Sequence, residues 1–249
     1  MSPLSYSPLS VCLVVLTVWG LVGLLGLLRP ASVRFVGRTL FPVGALCGLA
    51  LAIIAGVSLW LPTAQLTLRV GLPDLPMHLR LDHLSSFFLL LLGVASAGIS
   101  VFAAGYFRHG QGTPPGLLCL QYHLFLASMG FVLIADDAYA FMVAWETMAL
   151  SSYFLVTTQH GLPEIRSAGF VYLLIAHIGA IAILLSFGVM QGGSWHFTFD
   201  AMRSAHLTPL GRRWHSCSLC SDLERRRASC RCTCGFRKRT PPLLRQFPP

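Results

Sequence analysis

Residues 122–158 read YHLFLASMGFVLIADDAYAFMVAWETMALSSYFLVTT, two apolar runs parted by Asp136 and Asp137. With the first run extended back to Leu117, each is long enough to cross the roughly 30 Å hydrocarbon core of a bilayer as a helix. The second holds one carboxylate, Glu146, between Trp145 and Thr147. An acid near the middle of a spanning helix costs about 2.5–3.5 kcal/mol on insertion scales, so its retention points to function.

The rest of the chain has the same character. Of its 249 residues 55% are hydrophobic and 11% charged, against roughly 25% charged in soluble domains. Further uncharged runs occupy 9–28, 40–61, 87–106 and 168–190, which with 117–135 and 138–157 make six expected spans. A cleaved signal peptide at the amino end is the competing reading of the first run, but no basic segment precedes it and it exceeds a signal-peptide core in length. The expected fold is therefore an all-α polytopic membrane protein of about six transmembrane helices.

Between the second and third spans the pattern changes. Pro62, Pro73 and Pro76 flank the alternation Gln65-Leu66-Thr67-Leu68-Arg69-Val70, which predicts a short extracytoplasmic hairpin at the membrane surface. The chain divides on this reading into two amino-terminal helices (1–62), the hairpin segment (63–83), four further helices (84–190), a loop (191–210) and a tail (211–249).

Charge orients the spans. Loops after the odd spans carry Arg29, Arg34, Arg38, Arg108 and Arg166, and those after the even spans carry Arg69, Arg80 and Arg203. Basic residues favour the cytoplasmic side, so the amino terminus is expected outside and the odd loops inside, in a bacterial inner membrane.

Glu146 carries the chemistry. Desolvation raises the pKa of such a carboxyl and a nearby cation lowers it, so a group held between the two influences can load and release a proton. The competing structural reading is a protonated Glu146 that only hydrogen-bonds a neighbouring helix. His177, in the run IAHIG, is a second relay candidate because imidazole titrates near neutrality; it reads equally as a neutral histidine donating to a backbone carbonyl. Tyr153 falls on the Glu146 face at helical spacing, where packing is its simpler role. Arg80, Asp82 and Asp136 are possible supports or a solvated boundary, and His123 reads as a packed or interfacial polar residue.

The strings LRLDHLSSFF (79–88), VFAAGYFRHG (101–110), LFLASMGFVLIADDAYAFMVAWETMALSSYFLV (124–156) and AGFVYLLIAHIGA (168–180) resemble the antiporter-like membrane subunits of respiratory complex I. Within that family they are most similar to the hydrogenase 4 component B group, the large membrane subunits of formate hydrogenlyase. The resemblance covers about residues 79–209, and its Trp-Glu pair in the fifth helix is the specific mark. It implies inverted helix repeats with a polar axis at mid-bilayer, a fifth-helix Glu paired with a Lys on a broken seventh helix, and proton translocation coupled to electron transfer in partner subunits. Glu146 stands at the position of that Glu. The partners implied are other membrane subunits, soluble hydrogenase or electron-transfer subunits, and the lipid bilayer. A non-transporting scaffold for redox subunits and a stand-alone cation/proton antiporter subunit are the alternative readings.

The tail departs from the family. Ten of the 18 basic residues follow Gly211, as do Cys217, Cys220, Cys230, Cys232 and Cys234. Where the family continues with GAKAG and PLHVWLPEAHPAAPS, suitable synonymous codons for residues 222–244 spell that passage when read one frame over. The expectation is an out-of-frame, disordered tail after about residue 210 and a truncated, inactive chain. Cys217-x-x-Cys220 has the spacing of a zinc pair, but Cys230, Cys232 and Cys234 lack the spacer of a second pair and His215 fits no standard pattern, so no metal is expected. Neither a cofactor nor nucleic acid is expected as a partner, and no redox motif appears.

Overall fold

Where water is absent, a spanning segment must satisfy its backbone internally, which makes each apolar run a helix. A computed structural model describes residues 7–72, 75–106, 113–191 and 197–204. Helix α1 spans Pro8–Leu25 and continues as a 3-10 turn, Gly26–Leu28. Its N-cap is Ser7, whose hydroxyl accepts the Ser10 N–H at 3.3 Å. Helix α2 runs from Val33 to Ser58 and includes a π-helical stretch, Val36–Leu40. It thus begins seven residues before the expected start at 40, because Ser32 caps it by accepting the Phe35 N–H; Arg34 and Arg38 lie inside its first turns rather than in a loop.

Two strands follow, β1 (Ala64–Leu72) and β2 (Leu75–Leu81), antiparallel, with Ala64 opposite Leu81 and Thr67 opposite His78. The register slips between Leu68 and Gly71, leaving Gly71 (φ +116°) opposite Pro76. A glycine there adopts a backbone that side-chain-bearing residues avoid, and proline, which has no N–H for the ladder, is tolerated at such an irregularity. The expected alternation holds: Leu79 and Leu81 are buried, and Leu66 and Leu68 pack against the same cluster.

The chain re-enters the bundle as α3 (His83–Tyr106), α4 (Pro115–Ile134), α5 (Ala138–Val156) and α6 (Pro163–Met190), then ends its described part with the short helix α7 (Phe199–Ser204). Five of these helices, all but α5 and α7, are long and apolar enough to cross a membrane. The sixth expected span is α5, a helix of 19 residues, or about 28 Å at 1.5 Å per residue. Trp145, Glu146, Thr147, Ser151, Ser152 and Tyr153 dilute its apolarity below that of its neighbours. The tail readings (an out-of-frame origin, disorder and truncation), together with the cysteine cluster, concern residues 211–249 and fall outside the described residues, as does Arg108.

In lipid the helices gain little from burying apolar area and associate through close packing, for which small residues are required. Helices α2 and α3 show this. A Cβ added at Gly93 of α3 would stand 2.6 Å from the Ala52 nitrogen and 2.7 Å from the Gly48 carbonyl oxygen of α2. Between α1, α2 and α4 the buried core contains Trp19, Phe41, Leu51, Leu126 and Ile134, and the Trp19 indole N–H donates to the Gly44 carbonyl at 3.1 Å. Helix α6 forms the rim: 17% of its apolar window is buried, against 44% in α2 and α4, so its outer face, with Phe170, Leu174 and Ile181 exposed, is the side open to lipid or another chain.

Candidate functional site

Three residues beyond the α4 terminus, Asp137 starts α5 as its N-cap, its Oδ1 accepting the Ala140 N–H at 2.5 Å. That start places Glu146 in the third turn, near the middle of the helix. Helix α6 opens at Pro163 with Glu164 in its first turn and packs beside α5. Thr157 of α5 faces Gly169 of α6, and the Ser152 and Tyr172 hydroxyls lie 2.5 Å apart. The next polar contact along the interface is Glu146 with His177, 3.7 Å from Oε2 to Nε2. Two of the residues singled out in the sequence, 31 positions apart, thus meet between the helices.

The chemistry of that contact follows from the other imidazole nitrogen. His177 Nδ1 lies 3.0 Å from the Leu173 carbonyl oxygen. A carbonyl can only accept, so Nδ1 carries a hydrogen and Nε2 is the nitrogen turned toward the carboxyl group. At 3.7 Å Nε2 and Oε2 are within ion-pair reach but beyond hydrogen-bond length, and one proton can reside on either. On the nitrogen it makes an imidazolium–carboxylate pair; on the oxygen it makes a neutral acid facing a neutral imidazole. The Glu146 and His177 side chains are 35% and 46% exposed, so the pair sits at the open edge of the α5–α6 seam.

The structure places Arg80, Asp82 and Asp136 elsewhere, about three helical turns from Glu146 at the hairpin end of the bundle. There the segment 135–137 is laid between β2 and residues 197–198 like an extra strand. Leu79 pairs with Ala135 and Asp137 with Thr198. The Asp136 N–H donates to the His78 carbonyl at 2.9 Å, the Ala138 N–H to the Phe197 carbonyl at 2.9 Å and the Phe199 N–H to the Asp136 carbonyl at 3.0 Å. Arg80 pairs with Asp200 at 3.3 Å and reaches Asp136 at 3.9 Å, while Arg203 holds Asp200 at 2.6 Å. Burial, reinforced by the Asp200 charge, pushes the Asp136 carboxyl above its ordinary range despite Arg80, Arg203 and His78. Asp82 caps α3, its Oδ1 accepting the Ser85 N–H at 2.7 Å. Burial would raise its carboxyl, but the hydrogen bonds from Ser85 and the charges of Arg80 and His83 outweigh that and hold it below the usual range. Tyr153 lies two turns from Glu146, against Gly169, and is not brought to the pair.

Sequence reasoning missed three features. The first is Asp137: its side chain is 3% exposed and its Oδ2 accepts the His78 backbone N–H while facing the His78 imidazole at 3.4 Å. Its position just before an apolar helical run was an available N-cap signal. The second is the Ser152–Tyr172 contact, which no spacing rule announces. The third is a ring cluster on the hairpin side of Glu146, in which Phe141 stacks on Trp145 at 5.4 Å and meets Phe187 at 5.7 Å and Phe199 at 6.3 Å. His123, read as packed or interfacial, is fully buried and bonds the Cys119 carbonyl through Nδ1 at 2.8 Å. Among the described residues no group of three or more His, Cys, Asp or Glu side chains could hold a metal.

No family model matches the chain. It is 33% identical over 133 residues to hydrogenase-4 component B of Escherichia coli, a match covering 53% of this chain and 20% of that protein. It is 28% identical over 172 residues to NADH-quinone oxidoreductase subunit L of Mycobacterium tuberculosis, covering 66% of this chain and 26% of that one. In fold it is similar to a chain of the Mrp complex from Dietzia sp., with a TM-score of 0.66, 21% identity, and 86% of this chain against 23% of that chain covered. The chain spans about a fifth to a quarter of the length of these proteins. With its helical bundle, its hairpin and these relatives, the chain resembles part of the membrane subunits of the complex I-like, antiporter-like family.

Proposed function

We propose that this chain moves protons across a bacterial inner membrane, with the amino terminus outside, as the membrane subunit of a hydrogenase-linked assembly whose soluble partners carry the electrons. The observation that carries the reading is the Glu146–His177 contact near the middle of α5 and α6. A carboxyl and an imidazole facing each other, with one proton that either can hold, form a two-position store once the side chains close or a water bridges them. A positive charge approaching the carboxyl favours the carboxylate with its proton on His177; withdrawal of that charge returns the proton to Glu146 or releases it. Coupling to electron transfer then requires only that the redox cycle in the partners move charge near this pair. The arginine distribution supports the orientation, and the likeness to hydrogenase-4 component B supports the class of partner.

The test is Glu146→Gln in the assembled complex, with proton uptake into inverted membrane vesicles measured per electron transferred. The proposal expects electron transfer to persist with proton movement lost. Undiminished proton movement would refute the relay, and failure of the complex to assemble would favour a scaffold. Infrared titration of the full chain in lipid nanodiscs adds a direct reading, since the Glu146 carboxyl band must appear on acidification and be missing in Glu146→Gln.

A further inference from the structure

The α5–α6 seam is chemically lopsided about Glu146. Toward the hairpin it is filled by the rings of Phe141, Trp145, Phe187 and Phe199, which offer no hydroxyl, and the buried Ser186 hydroxyl on that side donates back to the Ala182 carbonyl at 2.9 Å. In the other direction, toward the turn that joins α5 to α6, it holds the Ser152–Tyr172 pair at 2.5 Å. The Ser152 hydroxyl also lies 2.9 Å from the Ala149 carbonyl oxygen. Because that carbonyl only accepts, the Ser152 O–H donates to it, and the Tyr172 O–H must be the donor to Ser152 Oγ. The two hydroxyls are therefore already oriented as a chain that leads from α6 into α5 on the side of the turn.

Resting on the relay reading above, we infer that Tyr172 and Ser152 are the proton-carrying step that connects the Glu146–His177 pair to the α5–α6 turn, and that the ring cluster closes the opposite route. A proton arriving from water at the Tyr172 oxygen displaces that residue's own proton along the existing hydrogen bond to Ser152 Oγ. Ser152 gives up its original proton by turning away from Ala149, through water, to Glu146. Each hydroxyl ends with the one proton it began with, and only O–H bonds are made and broken. Ser152 and Glu146 are six residues apart, about 9 Å along the axis, a distance that water must bridge. His177, five residues beyond Tyr172, receives the proton through its contact with Glu146 rather than directly.

The experiment follows the Glu146 carboxyl band by time-resolved infrared spectroscopy after a pH jump, using the full chain in nanodiscs, with Glu146→Gln marking the band. In Tyr172→Phe, which keeps the ring, and in Ser152→Ala, protonation should slow by about tenfold or more, within the reach of a lost positioned proton carrier. The midpoint of the equilibrium titration should not move, and Ser152→Thr, which restores a hydroxyl, should recover the rate. A residue that merely ties the helices together would shift the midpoint along with the rate and would not be rescued by the hydroxyl alone. Rates within about twofold of the parent in both variants would overturn the inference while leaving the relay standing, since the contribution of such a group should far exceed that. A Glu146 band that never titrates would bring down both.

Discussion

Replacing Asp137 by Ala should cost more stability than any other single change of a charged side chain at the hairpin end. The carboxylate is nearly sealed from solvent and serves two backbone donors: Ala140, at the start of α5, through Oδ1 and His78, on β2, through Oδ2. Losing the cap costs about 1 kcal/mol. Leaving the half-buried His78 N–H without its charged acceptor costs about 1–2 kcal/mol more. The sum is about 2–3 kcal/mol, since cap and acceptor are lost together. Asp137→Asn keeps one acceptor oxygen and should lose about half of that, while Asp136→Ala, whose Arg80 partner is 3.9 Å away and partly exposed, should lose about 0–1 kcal/mol. Denaturant titration of the full chain in mixed micelles measures the ranking, and hydrogen exchange at the Ala140 amide locates the loss. If Asp137→Ala falls within about 0.5 kcal/mol of the parent, the ordinary range for inconsequential surface changes, the clasp does not hold the start of α5 and the reasoning is wrong.

Gly93→Ala should loosen the bundle by about 1–3 kcal/mol, because the added methyl meets α2 backbone that no rotamer change can move; crosslinking between α2 and α3 should weaken in step, and an unchanged melting temperature would contradict the close approach. The two titrating carboxyls should act with opposite signs. Asp82, held low in the folded state, contributes stability above the ordinary carboxylate range that is lost as pH falls through its lowered folded value, so Asp82→Asn should blunt acid destabilisation. Asp136, pushed up in the folded state, contributes stability at low pH that is lost as pH rises through its folded value, so Asp136→Asn should flatten that decline instead. Melting curves from acid to neutral pH check both, and a shared sign would refute the assignment of causes.

Much of the architecture was legible because lipid removes choices from the backbone. An apolar run bounded by charges can only be a helix, and the alternation at 65–70 could only bury Leu66 and Leu68 by lying as a strand on the bundle's end. Glu146 was legible for a related reason: a lone carboxyl in a 19-residue helix with no other charged side chain is conspicuous. The partner's identity was less so. His177 was visible as a titratable residue, but its facing Glu146 depends on how α5 and α6 are rotated about their axes. Apolar residues run around every side of these helices, so hydropathy carries no mark of which face meets protein.

The residues by themselves therefore determined the number and order of the long helices, the hairpin between the second and third, and the isolated acid at mid-span, because each follows from local pattern and the absence of water. Only the tertiary structure decided that His177 turns its Nε2 toward Glu146, that Ser152 meets Tyr172, and that Asp137 clasps His78 across 59 positions of chain. Those contacts arise from close packing and the pairing of a few polar atoms between distant segments, and neither leaves a period in the sequence.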